Sequence, residues 1–82
     1  MTDTEVKDVI ARVLGRVAPE ADLGTVDPDA NLREELEIDS IDFLHLLIGL
    51  NEELDVDIPE SDYGQLTTLN EIASYVSARV EA

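Results

Sequence analysis

The sequence has no cysteine, which excludes disulfide bonds and thiolate-bound zinc as sources of stability. It has a single histidine, His45, so a histidine pair cannot bind a metal ion or act in catalysis. Nucleophilic and metal-dependent catalysis therefore lack an adequate set of residues. With 82 residues, the chain has room for one domain, residues 1–82, whose stability must come from well-packed secondary structure.

Basic residues are scarce, since five Lys and Arg stand against 20 Asp and Glu, and the net charge is −15. This charge repels nucleic acid and favours partners with basic patches, bound weakly and in a salt-sensitive way. The longest apolar run, from Leu46 to Leu50, is too short to span a bilayer, and the first residues do not resemble a secretion signal. We therefore expect a soluble, cytoplasmic protein that binds neither nucleic acid nor membranes.

The apolar residues follow helical spacing, and few of them are aromatic, so Leu, Ile and Val must form the core. Three helix starts are marked in the sequence. Two of them are Thr-x-x-Glu capping boxes, at Thr2 and Thr68, and the third is the pair of cap residues Asp39 and Ser40. The sequence predicts an all-α fold, a small bundle of three main helices plus one short helix, with a long first loop. The predicted helices are Thr4–Val17, Ile41–Leu54, a short turn at Glu60–Gly64, and Leu69 to about Val80.

The predicted loop, residues 18–39, contains several apolar residues that we expect to pack onto the core. Its Asp27-x-Asp29-x-Asn31 pattern matches the first three ligand positions of an EF-hand calcium loop. Leu32 and Ile38 replace the glycine and glutamate that such a loop requires at its sixth and twelfth positions. We therefore favour an Asx turn here and expect no metal site.

The second helix carries more apolar residues than one buried stripe needs. One set has core-like spacing, and the second set lies on a different face and is either also buried or exposed to a partner. The first set is Phe43, Leu46, Leu47, Leu50 and Leu54, and the second is Ile41, Leu44 and Ile48.

Ser40 on its own reads as a helix cap. His45 follows it by five residues, about 140° around a helix, so the two side chains leave on different faces and do not form a catalytic pair. Asp39 and Asp42 could be a pair of acid/base catalysts, but nothing in the sequence indicates a concave site for them, so we expect them to stabilise a helix N-terminus.

An ordered set of motifs covers nearly the whole chain: Leu36-Glu37-Ile38-Asp39-Ser40-Ile41-Asp42, Asn51-Glu52-Glu53-Leu54, Val56-Asp57-Ile58-Pro59, Asp62 and Thr67-Thr68. This set closely resembles the acyl carrier proteins of fatty-acid and polyketide synthesis, whose Asp-Ser-Leu motif appears here as Asp-Ser-Ile. Asp39 favours this branch over the related peptidyl carriers, which tend to have His before the serine.

The resemblance implies that Ser40 Oγ, flanked by Asp39 and Ile41, receives 4′-phosphopantetheine from coenzyme A through a separate phosphopantetheinyl transferase. The chain would be a monomer and not an enzyme. It would carry acyl intermediates as thioesters to enzymes with basic docking patches in fatty-acid, polyketide or related lipid biosynthesis. The implied partner-binding residues are Asp42, Leu44, His45, Ile48 and Glu52, and the implied acyl-pocket and core residues are Phe43, Leu46, Leu47, Leu50, Leu54 and Ile58.

Four positions depart from the family pattern. Glu37 and Asp55 stand where the family usually has glycine, and a non-glycine residue adopts a positive φ at a cost. His45 stands where an acidic residue is common, and Phe43 where a smaller one is usual. These departures predict a specialised carrier.

Three other functions are compatible with the sequence. The chain could be an acidic helical interaction module in which Ser40 is only a cap, or a calcium-binding protein. It could also be a peptidyl or aminoacyl carrier, which would differ only in its cargo.

Overall fold

The computed structural model describes residues 2–80, which form helices joined by short connections. Over this range there is no β-strand, only an isolated bridge between Asn31 and Thr68. The predicted all-α bundle is confirmed, including the short helix near residue 60. The α-helices are α1 (Asp3–Val17), α2 (Leu32–Leu36), α3 (Ser40–Leu54) and α4 (Leu69–Arg79), and two 3₁₀ helices span Leu23–Thr25 and Glu60–Gln65.

Both predicted capping boxes are present. The Thr2 hydroxyl accepts a hydrogen bond from the Glu5 amide, and Thr68 does the same for Glu71. The Glu71 carboxylate also accepts from the Thr67 hydroxyl at 2.6 Å and from the Thr68 amide at 3.0 Å. These bonds favour the charged form and lower the pKa of Glu71, and the bonds from Thr2 likewise lower the pKa of Glu5.

The core lies where α1 packs against α3 and α4. The apolar residues with helical spacing in the first helix are buried except for Val17, which is half-buried, and α3 contributes three fully buried leucines. Gly49 of α3 allows a close approach, because a Cβ at this position would overlap Cγ1 of Val13 on α1. The buried residues of these two helices are Val6, Val9, Ile10, Val13, Leu14, Leu46, Leu47 and Leu50.

The segment predicted as a loop differs from expectation, because it contains the first 3₁₀ helix and α2. Five residues are too few for a periodic pattern to reveal, and α2 forms because Leu32 is fully buried and Asn31 caps the Glu34 amide. The segment packs onto the core as expected, and the Leu32 amide donates to the Thr67 carbonyl at 2.8 Å.

The backbone adopts a left-handed conformation at two residues that are not glycine. Glu37 has φ 55° and ends α2, and Asp55 has φ 53° and ends α3. The Asp55 amide donates to the Asn51 carbonyl, and the Asn51 side chain donates to the Val56 carbonyl at 2.7 Å. Both residues therefore adopt the positive φ that a non-glycine residue takes at a cost.

A side-chain hydrogen bond joins the second 3₁₀ helix to α4. The Tyr75 hydroxyl donates to Asp62 Oδ2 at 2.6 Å, while the Arg79 guanidinium lies 3.6 Å from the centre of the Tyr75 ring. The bond to Asp62, together with burial, raises the pKa of Tyr75. Between residues 2 and 80, no helix is both long and apolar enough to cross a bilayer.

Candidate functional site

Ser40 is the first residue of α3, and its side chain is exposed. A tight connection holds it in place: α2 ends at Glu37, the Ile38 amide donates to the Arg33 carbonyl at 3.2 Å, and Ile38 packs against the core. Asp39 then caps α3. The serine hydroxyl is therefore presented to solvent from a fixed backbone.

The N-terminus of α3 favours a negative charge beside Ser40. Asp39 Oδ1 accepts a hydrogen bond from the Asp42 amide at 2.9 Å, which confirms Asp39 as the cap. The amides at the start of a helix have no acceptor within it, and the helix dipole stabilises a nearby anion by about 0.3–1 kcal/mol. An anionic group on the Ser40 hydroxyl would benefit from both effects.

A cavity of about 320 Å³ opens beside Ser40. Its wall is mainly apolar and comes from α2 and its N-cap, from α3, and from the second 3₁₀ helix and the two residues after it. This volume is at the lower end of the range for small-molecule sites. The lining residues are Asn31, Arg33, Ser40, Phe43, Leu44, Tyr63, Gly64, Leu66 and Thr67.

The residues predicted to form the acyl pocket and core lie in two places. Phe43 is half-buried and lines the cavity. The others belong to the core: Leu46, Leu47, Leu50 and Ile58 are buried, and Leu54 packs against them. Their burial agrees with a core role, and their contact with an acyl chain stays a prediction.

The second apolar set of α3 is exposed rather than buried, which is one of the two arrangements expected from the sequence. Ile41 is 63% exposed, Ile48 43% and Leu44 37%, and Leu44 also lines the cavity. Asp39 and Glu52 are exposed, and Asp42 is half-buried. An apolar centre with a charged rim is typical of protein interfaces, so the predicted partner surface has suitable composition, and its role stays a prediction.

His45 is exposed and lines a different depression from Ser40, between α1 and α3, together with Arg16, Gly49 and Glu52. The two residues therefore do not act on a common site, in agreement with their helical spacing. Glu53, at the same depression, pairs with Arg12 and Arg16.

Acidic residues before α2 form hydrogen bonds within the protein. The Asp29 amide donates to Asp27 Oδ1 at 2.9 Å, which confirms the Asx turn, and Asp29 accepts from the Asn70 side chain at 2.7 Å. In the described part of the chain, no three His, Cys, Asp or Glu residues are grouped as a metal site would need.

Most of the cavity wall could not be identified from the sequence. Arg33, Tyr63 and Leu66 come from segments far apart in sequence, and only the tertiary structure brings them to Ser40. One signal was available, since Asn31-x-x-Glu34 has the spacing of a helix cap and marks the start of α2.

Comparison with known proteins is consistent with this geometry. A sequence model of the family described as "Phosphopantetheine attachment site" matches residues 4–76. The chain is 33% identical to the "Acyl carrier protein" of Bdellovibrio bacteriovorus over 78 residues, which is 95% of this chain and 94% of that protein. It is 35% identical to the "Acyl carrier protein" of Campylobacter fetus subsp. fetus, over 88% of this chain and 87% of that protein. The "Acyl carrier protein" of Clostridium acetobutylicum is 28% identical over 99% of both chains.

Proposed function

Because this chain belongs to the acyl carrier protein family, we propose that its phosphopantetheine attachment site is the Ser40 hydroxyl, flanked by Asp39 and Ile41. The chain is a carrier rather than an enzyme, and its prosthetic group is 4′-phosphopantetheine. When attached, this group supplies the thiol on which acyl groups are carried as thioesters. Residues 1–82 form a single carrier domain in this proposal.

The observation that carries the proposal is the placement of Ser40. Its hydroxyl is exposed, so a transferring enzyme can reach it, and it begins α3, where the helix dipole favours the phosphate. A mainly apolar cavity opens beside it, with room to shelter part of an acyl chain. These features support attachment of the prosthetic group at Ser40.

The chain interacts with a phosphopantetheinyl transferase and with biosynthetic enzymes. We propose that these enzymes dock through basic patches on the surface formed by Asp42, Leu44, His45, Ile48 and Glu52. The net charge of −15 supports this choice of partners, because opposite charges steer encounters. We further propose that the cargo belongs to fatty-acid, polyketide or related lipid biosynthesis. A monomeric state and a cytoplasmic location stay predictions.

The test is modification of the apo chain with coenzyme A and a broad-specificity phosphopantetheinyl transferase, followed by intact-mass and peptide-mass analysis. We expect one phosphopantetheine per chain, on the peptide that contains Ser40. Ser40→Ala should abolish the mass increase, whereas Ser61→Ala, a matched change at another exposed serine, should leave it unchanged. Modification that survives Ser40→Ala would overturn the assignment.

A further inference from the structure

Arg33 differs from the other arginines in its contacts. Arg12 and Arg16 pair with Glu53, and Arg79 donates to the Tyr75 carbonyl. Within residues 2–80, the Arg33 side chain makes no ion pair and no hydrogen bond, although the chain has 20 acidic residues. Its guanidinium is therefore available to an external partner.

Arg33 lies at the cavity beside Ser40. Its Cζ is 5.9 Å from the centre of the Phe43 ring, and both residues line the cavity together with Ser40. A ring face attracts the cation without using its N–H groups, so the five donors of the guanidinium remain free to bind an oxyanion. The Phe43 ring therefore lies beside the guanidinium without engaging its N–H donors.

The polar character of the cavity also points to an anion. No acidic residue is among those that line it, and Arg33 is its only charged residue. Two other polar side chains are already engaged, because Asn31 accepts from the Glu34 amide and Thr67 donates to Glu71. The remaining wall is mainly apolar and includes Leu44 and Leu66. In a strongly acidic protein, this leaves an apolar cavity with one unpaired cation at its solvent-exposed edge.

We propose that Arg33 binds an anionic oxygen group that belongs to the molecule attached at Ser40. This inference rests on the proposed function. The group is either the phosphodiester next to the Ser40 oxygen or a carboxylate on the acyl cargo, and both match the planar fork of a guanidinium. In the second case, Arg33 favours placement of acid-bearing acyl groups in the cavity over acyl groups without an acid.

The proposal is tested by the Nε–Hε signal of Arg33 in isotope-labelled protein, with Arg12 as the internal control. Four forms are compared: the apo chain, the phosphopantetheine-modified chain, and the modified chain loaded with hexanoyl or with adipoyl groups, which have equal length but differ in a terminal carboxylate. A shift of the Arg33 signal upon modification assigns the phosphodiester. A shift of the Arg33 signal that appears only in the adipoyl-loaded chain identifies the cargo carboxylate as the group that Arg33 binds.

A second measurement uses the rate at which hydroxylamine releases the adipoyl group. If the carboxylate is bound, Arg33→Gln should change this rate by roughly two- to five-fold, the effect of an exposed ion pair, and Arg12→Gln should not. An Arg33 signal that moves no more than that of Arg12 in any form overturns the inference while Ser40 remains modified. If no modified chain forms, the proposed function has failed as well, and mass analysis distinguishes the two results.

Discussion

Gly49→Ala tests whether α1 and α3 pack as closely as the structure indicates. The added Cβ would overlap Cγ1 of Val13, with Cβ and Cγ2 of the same residue at 3.7 and 3.9 Å. Val13 is 2% exposed and β-branched, so its side chain has little freedom to rotate away. We therefore expect the two helices to separate locally or Val13 to adopt a strained rotamer.

The magnitude follows from two opposing effects. Overpacking a well-packed core costs about 1–3 kcal/mol, whereas replacing glycine by alanine within a helix gains about 1 kcal/mol. The expected net loss in the free energy of unfolding is about 1 kcal/mol. Gly15→Ala is the matched control, because Gly15 lies in α1 and a Cβ there meets no atom within 4 Å. This control should stabilise the protein by about 1 kcal/mol.

The assay is urea unfolding followed by far-ultraviolet circular dichroism, with the midpoint and the slope compared among variants. The double variant Val13→Ala/Gly49→Ala removes the overlapping methyl group, so its loss of stability should be smaller than the sum of the two single losses. If Gly49→Ala stabilises the protein as much as Gly15→Ala does, the close approach of α1 and α3 is refuted.

Three further predictions concern the surface and the helix ends. Ile48→Ala should slow turnover by partner enzymes without changing the circular dichroism spectrum. Leu44→Ala should have the same effect and should in addition alter the environment of the cavity. Loss of the fold in either variant would show that the residue belongs to the core. Because the pKa of Glu71 is lowered from 4.5, its charged form stabilises the fold above that pH, and this contribution is lost as the pH falls through the lower folded value. Glu71→Gln should therefore lower the free energy of unfolding at pH 7, and its difference from the wild type should shrink in acid. Urea unfolding at several pH values measures this difference. The control is Glu20→Gln, at an exposed residue without side-chain contacts in the described range, and its difference from the wild type should not shrink in this way. Glu37→Gly should raise the free energy of unfolding by about 0.5–1 kcal/mol, because glycine adopts φ 55° without steric cost; a lower stability would mean that the Glu37 side chain contributes more than its backbone strain removes.

The three long helices could be predicted from sequence because local signals define both their ends and their buried faces. Thr2 and Thr68 begin capping boxes, and Ala18 and Asp55 end helices through local backbone geometry. The apolar spacing of α1 also identified its buried face. In such segments, the local preference and the tertiary structure agree, so local reasoning is sufficient.

The segment from residue 18 to 39 shows where local reasoning fails. Its five-residue helix α2 has too few turns to be stable or recognisable alone, and it depends on the burial of Leu32 and on the hydrogen bond to the Thr67 carbonyl. The position of Arg33 depends on α2 in turn. A cavity whose wall runs from Asn31 to Thr67 in sequence could not be derived from any single motif.

The proposed function uses two surfaces of this carrier. The exposed apolar patch with its acidic rim suits enzymes with basic docking sites, and the cavity, with its one guanidinium, suits the attached molecule. Leu44 belongs to both, since it is 37% exposed and also lines the cavity. An enzyme that covers this patch therefore touches one wall of the space in which the cargo would be sheltered. In the proposed function, partner binding and cargo binding share the Leu44 side chain, so a change in one has a direct physical route to the other.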